Sequence, residues 1–109
     1  MLERDAATQH VVKLLLPLGP IVVRRMYGGI ALDLDDRNFA IIHGGSVYFR
    51  THGATVARYL EVGSTALRIT RDGGIEAVMP YHQVPSHVLA DQDLACAWAY
   101  ESVIHGPSE

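Results

Sequence analysis

The stretch that most constrains this chain is the pair of apolar runs flanking Gly44-Gly45. Phe39 to His43 and Ser46 to Thr51 are strand-like in composition, and two glycines between such runs signal a two-residue hairpin turn. Pairing position 42 with 47 and 40 with 49 puts Ala40, Ile42, Val47 and Phe49 on one face. The other face then carries Phe39, Ile41 and Tyr48, so it is apolar too. A hairpin with one wet face alternates apolar with polar residues. This one must be covered on both sides, by helices of the same chain or by a second subunit. The second option motivates the expectation of a homodimer.

The remaining chain supplies helices and further strands. Asp5 to Leu16 reads as an amphipathic helix with Ala7, Val11, Leu14, Leu15 and Leu18 on one face. Asp5 is its N-cap, and Pro17, Gly19 and Pro20 end it. Ile21 to Tyr27 and Ile30 to Asp35 read as strands joined at Gly28-Gly29, with Asp33 and Asp35 outward and a turn at Asp36-Arg37-Asn38. Thr51 is expected to cap a helix from Ala54 to Glu61 striped by Val56, Tyr59 and Leu60. Thr65 to Arg71 and Ile75 to Tyr81 form a second hairpin around Asp72-Gly73-Gly74. A three-residue loop there groups Leu67, Ile69, Ile75, Ala77 and Met79 inside, with Pro80 edging the strand. Pro85 opens a short helical turn to Leu89. Asp91 caps a last helix, Gln92 to about His105, striped by Leu94, Ala97, Trp98 and Ile104, and Gly106 to Glu109 reads as a frayed end. Hairpin-linked strands among helices give α+β: two layers, with a largely antiparallel sheet of five or six strands in one domain, 1–109.

Charge narrows the function. With 9 Lys+Arg against 12 Asp+Glu the net charge is −3, which argues against direct nucleic-acid binding driven by phosphate neutralisation. The single cysteine, Cys96, allows no internal disulfide. The acidic N-terminus lacks a signal-peptide pattern, and the longest apolar run, Leu14 to Val23, is broken by prolines well short of a membrane span. A cytoplasmic protein is expected.

The run that resists a bland reading is Arg24-Arg25-Met26-Tyr27-Gly28-Gly29. Strand alternation sends the two arginines to opposite faces. They form either a recognition surface for a carboxylate, a phosphate or an acidic partner, or a structural pair. In the structural case one arginine is held by Asp33 or Asp35 and the other is solvated. Gly28-Gly29 reads as a bend between strands, with no phosphate-loop spacing around it. Tyr81 with Trp98 is a candidate aromatic patch, although Trp98 on a helical stripe is first a core residue. The histidines have no H-x-x-x-H or H-x-E spacing, so no metal is expected. Cys96 between alanines reads as a packing residue. There is no nucleophile elbow and no defensible acid–base pair of carboxylates, hence no enzyme and no cofactor.

Several pieces, taken in order, carry a resemblance. They are Leu15-Leu16-Pro17-Leu18-Gly19, Arg24 to Gly29, Phe39-Ala40-Ile41-Ile42, Val47-Tyr48-Phe49-Arg50, Met79-Pro80-Tyr81 through Val84-Pro85, and Val88-Leu89 with Asp91 and Trp98. Together they resemble the N-terminal domain of the TfoX/Sxy family, regulators of competence genes in bacteria. The chain departs from the family after Gly63, where Thr65-Ala66-Leu67-Arg68-Ile69 replaces a proline and aromatics. Full-length competence regulators of the family also carry a second, C-terminal domain, and the resemblance is expected to cover the first domain alone.

The resemblance implies a secretion-chaperone-like fold and a non-enzymatic, regulatory protein–protein interaction module. Its partner is unidentified, with the transcription machinery one candidate, and no membrane is involved. Arg24, Arg25, Tyr27, Gly28, Gly29 and Tyr81 are the candidate recognition surface. The alternatives are a direct DNA-binding regulator and a small anionic-ligand-binding domain.

Overall fold

The computed structural model describes residues 6–105. The expected Asp5 cap and the frayed end at 106–109 lie outside the described residues. Six strands form one open antiparallel sheet in the order β1-β2-β3-β4-β6-β5. They are β1 (Val22–Met26), β2 (Gly29–Leu34), β3 (Arg37–His43), β4 (Ser46–Arg50), β5 (Ala66–Thr70) and β6 (Glu76–Gln83). Four helices accompany them among the described residues: α1 (Ala6–Leu14), α2 (Val56–Glu61), α3 (Ser86–Leu89) and α4 (Gln92–His105). The α+β architecture expected from the sequence is present, with strands and helices in the expected order.

Three successive hairpins build the first four strands, and each turns on two residues of positive φ. These are Tyr27-Gly28 (55° and 76°), Asp35-Asp36 (53° and 63°) and Gly44-Gly45 (58° and 81°). Such turns match the right-handed twist of paired strands. The second turn lies one residue earlier than the sequence implied: Arg37 and Asn38 belong to β3, not to a loop. The central hairpin has the expected register, Ala40 opposite Phe49 and Ile42 opposite Val47. The Asp72–Gly74 loop likewise has the three-residue length expected, with Thr70 opposite Glu76.

All four helices lie on one side of the sheet. Val11 and Leu15, Tyr59, Val88, and Ala95, Trp98, Ala99 and Val103 pack there against Leu32, Leu34, Ala40, Ile42, Val47 and Phe49. The buried stripe of α4 is Ala95, Trp98, Ala99, Ser102 and Val103, whereas Ala97 and Ile104 face solvent. Small residues at 95, 99 and 102 let the helix approach the strands closely, so size alone misdirects the expected stripe. Asp91 does cap α4, its Oδ1 accepting from Leu94 N at 3.1 Å.

Other expectations need correction. Phe39 joins this main core, its ring 6.2 Å from that of Phe49, instead of sharing the opposite face with Ile41. The cause is a β-bulge: Leu32 pairs with Ala40 but Asp33 pairs with Asn38, leaving Phe39 as the extra residue. Pro80 lies inside β6, not at its end. The β5–β6 register shifts between Ala66 (opposite His82) and Arg68 (opposite Val78), which accommodates a residue without an N–H in an interior strand. Ile75 at the hairpin loop is 67% exposed and leaves the expected inner group. Thr51 does not cap α2, which begins at Val56; its Oγ1 lies 2.8 Å from His82 Nδ1.

The second face carries no helix among the described residues. Ile41, Leu67 and Tyr81 are nonetheless buried there, with Met26, Tyr48, Ile69 and Met79 packed around them. The chain's own strands therefore cover Ile41, and the two-sided apolar hairpin is satisfied without a second subunit at that residue.

Candidate functional site

The arginine run occupies β1, and β1 is an edge strand. Its outer side has no neighbouring strand among the described residues. Alternation splits the arginines as expected, and the structure settles which is which. Arg24 faces the helix-free side, where Nε donates to Asp33 Oδ2 at 2.6 Å and Nη2 approaches Oδ1 at 3.3 Å. Its Nη1 also lies 3.2 Å from Met26 Sδ. Asp33, expected outward, is instead drawn into this contact. Arg25 faces the helix side, is exposed, and has no carboxylate partner among the described residues.

Arg24 is one end of a polar chain that crosses the helix-free face. Asp33 Oδ1 accepts from Asn38 Nδ2 at 3.1 Å, and the same amide nitrogen lies 3.1 Å from both Leu32 O and Ala40 O. The Tyr81 hydroxyl donates to Asn38 Oδ1 at 2.5 Å, and Arg50 Nη1 donates to that hydroxyl at 3.1 Å. The Arg50 guanidinium also lies 5.5 Å from the Tyr81 ring centroid. Asn38 and Tyr81 are 4% and 1% exposed, so the middle of the chain is dry while its two guanidinium ends reach toward solvent. Buried polar groups satisfied in this way hold strands in one register. The bulge at Phe39 aims Asn38 into the chain.

The other predicted residues lie at the end of the sheet. Tyr27 is exposed in the first turn, with Gly28 beside it. Gly29 is required by close approach: any Cβ there would collide with the Ile42 carbonyl oxygen. Arg25, Gly28 and Gly29 meet the Gly44-Gly45 turn around a cleft of about 200 Å³. A second, apolar groove of about 210 Å³ runs between α1 and β1, lined by Val12, Leu16 and Val23 with Lys13 at its rim. The predicted set thus divides. Arg24 and Tyr81 share the polar chain, Arg25, Gly28 and Gly29 share the cleft, and Tyr27 stands on the turn between them.

Sequence reasoning missed Asn38, Arg50 and the groove residues Val12 and Leu16. Arg50 and Tyr81 sit opposite each other in the β4–β6 register, but that pairing joins strands far apart in sequence, and strand composition carries no sign of it. The Phe39 bulge is equally silent.

A model of the TfoX N-terminal domain matches residues 13–105. The chain belongs to that family. No curated protein matches it. The matched region spans every strand, the polar chain and the last two residues of α1, so it includes Arg24, Arg25, Tyr27, Gly28, Gly29 and Tyr81. No helix among the described residues is long and apolar enough to cross a membrane, and no cluster of metal-ligating side chains occurs among them.

The perturbed titratable groups of this TfoX domain are explained by packing. Burial raises the Tyr59 phenol well above its ordinary range, the ring lying 4.9 Å edge-on to Trp98. Burial lowers the His82 imidazole. Burial, then the Asp93 charge, raises the Cys96 thiol, which donates weakly to Leu14 O at 3.6 Å. A thiol held protonated is a poor nucleophile, in keeping with a packing role.

Proposed function

We propose that this TfoX N-terminal domain is a non-enzymatic, cytoplasmic protein–protein interaction module with a regulatory role related to that of competence-gene regulators, and that the β1 edge and its turn form its recognition surface. The observation that carries the reading is the division of labour in β1. One arginine is braced by Asp33 and, through Asn38, tied to the buried Tyr81; the next is exposed, has no carboxylate partner among the described residues, and lines the cleft at the hairpin turns. An edge strand that presents a guanidinium with no carboxylate partner among the described residues suits recognition of an acidic group on another protein.

The test is affinity capture from native lysate with wild type and Arg24→Ala/Arg25→Ala, both checked for folding. A defined protein retained by the wild type and lost by the double variant supports the module. Equal retention by two folded forms contradicts it.

A further inference from the structure

Resting on that reading, we infer that the β1 edge takes its partner by strand addition, and that the partner supplies an extended segment carrying an apolar side chain and a carboxylate two residues apart. Strand addition draws affinity from main-chain hydrogen bonds at an open sheet edge and specificity from pockets for alternate side chains. The edge of β1 offers both. Val23 and Arg25 lie on its helix side, where Val23 lines the apolar groove against α1 and Arg25 lines the polar cleft at the hairpin turns. Same-face neighbours on a strand are roughly 6.5–7 Å apart. A segment laid along β1 therefore sets one side chain over the groove and the next same-face side chain over the cleft.

Charge identifies the occupant. Lys13 and Arg25 make the rim basic, although the chain as a whole is acidic. A second copy of this strand, paired antiparallel about Arg24 or Arg25, would set arginine against arginine across the new ladder, which is destabilising. A carboxylate at the Arg25 position reverses that sign. The opposite edge, β5, lacks the feature: its Arg68 is already neutralised by Glu76 at 3.3 Å.

The experiment selects a displayed library of random short peptides on the full chain, then maps amide hydrogen exchange with the best peptide bound. The expected result is enrichment of an apolar residue two positions from Asp or Glu, new protection along Val22–Met26, and loss of binding when the peptide backbone is N-methylated on its pairing edge. Arg25→Ala should weaken binding roughly fivefold, and Arg25→Glu should switch the enriched charge from Asp or Glu to Lys or Arg. Enrichment without that spacing, protection elsewhere, or an unchanged charge preference in Arg25→Glu overturns strand addition. Failure here with lysate capture still dependent on the arginines would leave the module reading standing. Success here with capture insensitive to them would refute the module reading alone.

Discussion

The two faces of the sheet bury their residues by different physics. On the helix side, an aromatic and aliphatic core is sealed by α1, α2, α3 and α4, and shape complementarity dominates. On the other side no helix is present among the described residues. Burial of Ile41, Leu67 and Tyr81 there depends on strands alone, with Asn38 and Tyr81 locked by hydrogen bonds. The first face is built for stability and the second for register. They meet at β1, where each arginine belongs to a different face. A recognition strand needs both: a core to hold the sheet and a polar chain to fix the strand that presents the contact.

Substitutions on the two faces should therefore separate in size and kind. Trp98→Ala removes a side chain packed against Tyr59, with the Arg58 guanidinium 4.9 Å from its ring, and should cost about 3–5 kcal/mol in a cooperative denaturant transition. An unchanged melting temperature would erase the contrast. Tyr81→Phe keeps the ring but leaves Asn38 Oδ1 without its donor, so about 1–3 kcal/mol should be lost. A near-zero effect would show the polar chain to be incidental.

Arg24→Ala breaks a partly exposed ion pair and should cost no more than about 1 kcal/mol. A larger loss would place Arg24 with the core. The smallest effect is pH-dependent. Burial holds the folded-state pKa of His82 below its ordinary 6.5, so the unfolded chain binds the proton more readily. The stability this contributes is complete above pH 6.5 and is lost as the pH falls through the folded-state value, and His82→Gln should flatten that part of the profile.

How much of this was legible in the sequence depends on how local the determinant is. The Gly44-Gly45 turn and its register, the Asp91 cap and the alternation of Arg24 and Arg25 each rest on a few adjacent residues, and each could be read directly. The stripe of α4 could not, because Ala95, Ala99 and Ser102 are buried for their smallness. The Phe39 bulge and the position of Pro80 inside β6 arise from pairing with another strand, which composition does not encode. The same holds for the candidate surface. The arginine run was visible, but Asn38 and Arg50 enter only through the bulge and the β4–β6 register, and the groove beside Val23 exists only once α1 has docked.

The most direct test of the central claim is capture of a native partner by Arg25→Glu beside wild type, with unfolding free energy measured on the same preparations. Arg25 is exposed, so its stability should stay within about 0.5 kcal/mol of wild type. The account predicts that this variant, equally folded, loses the partner the wild type retains. If Arg25→Glu holds the same partner at the same strength, the β1 edge is not the recognition surface.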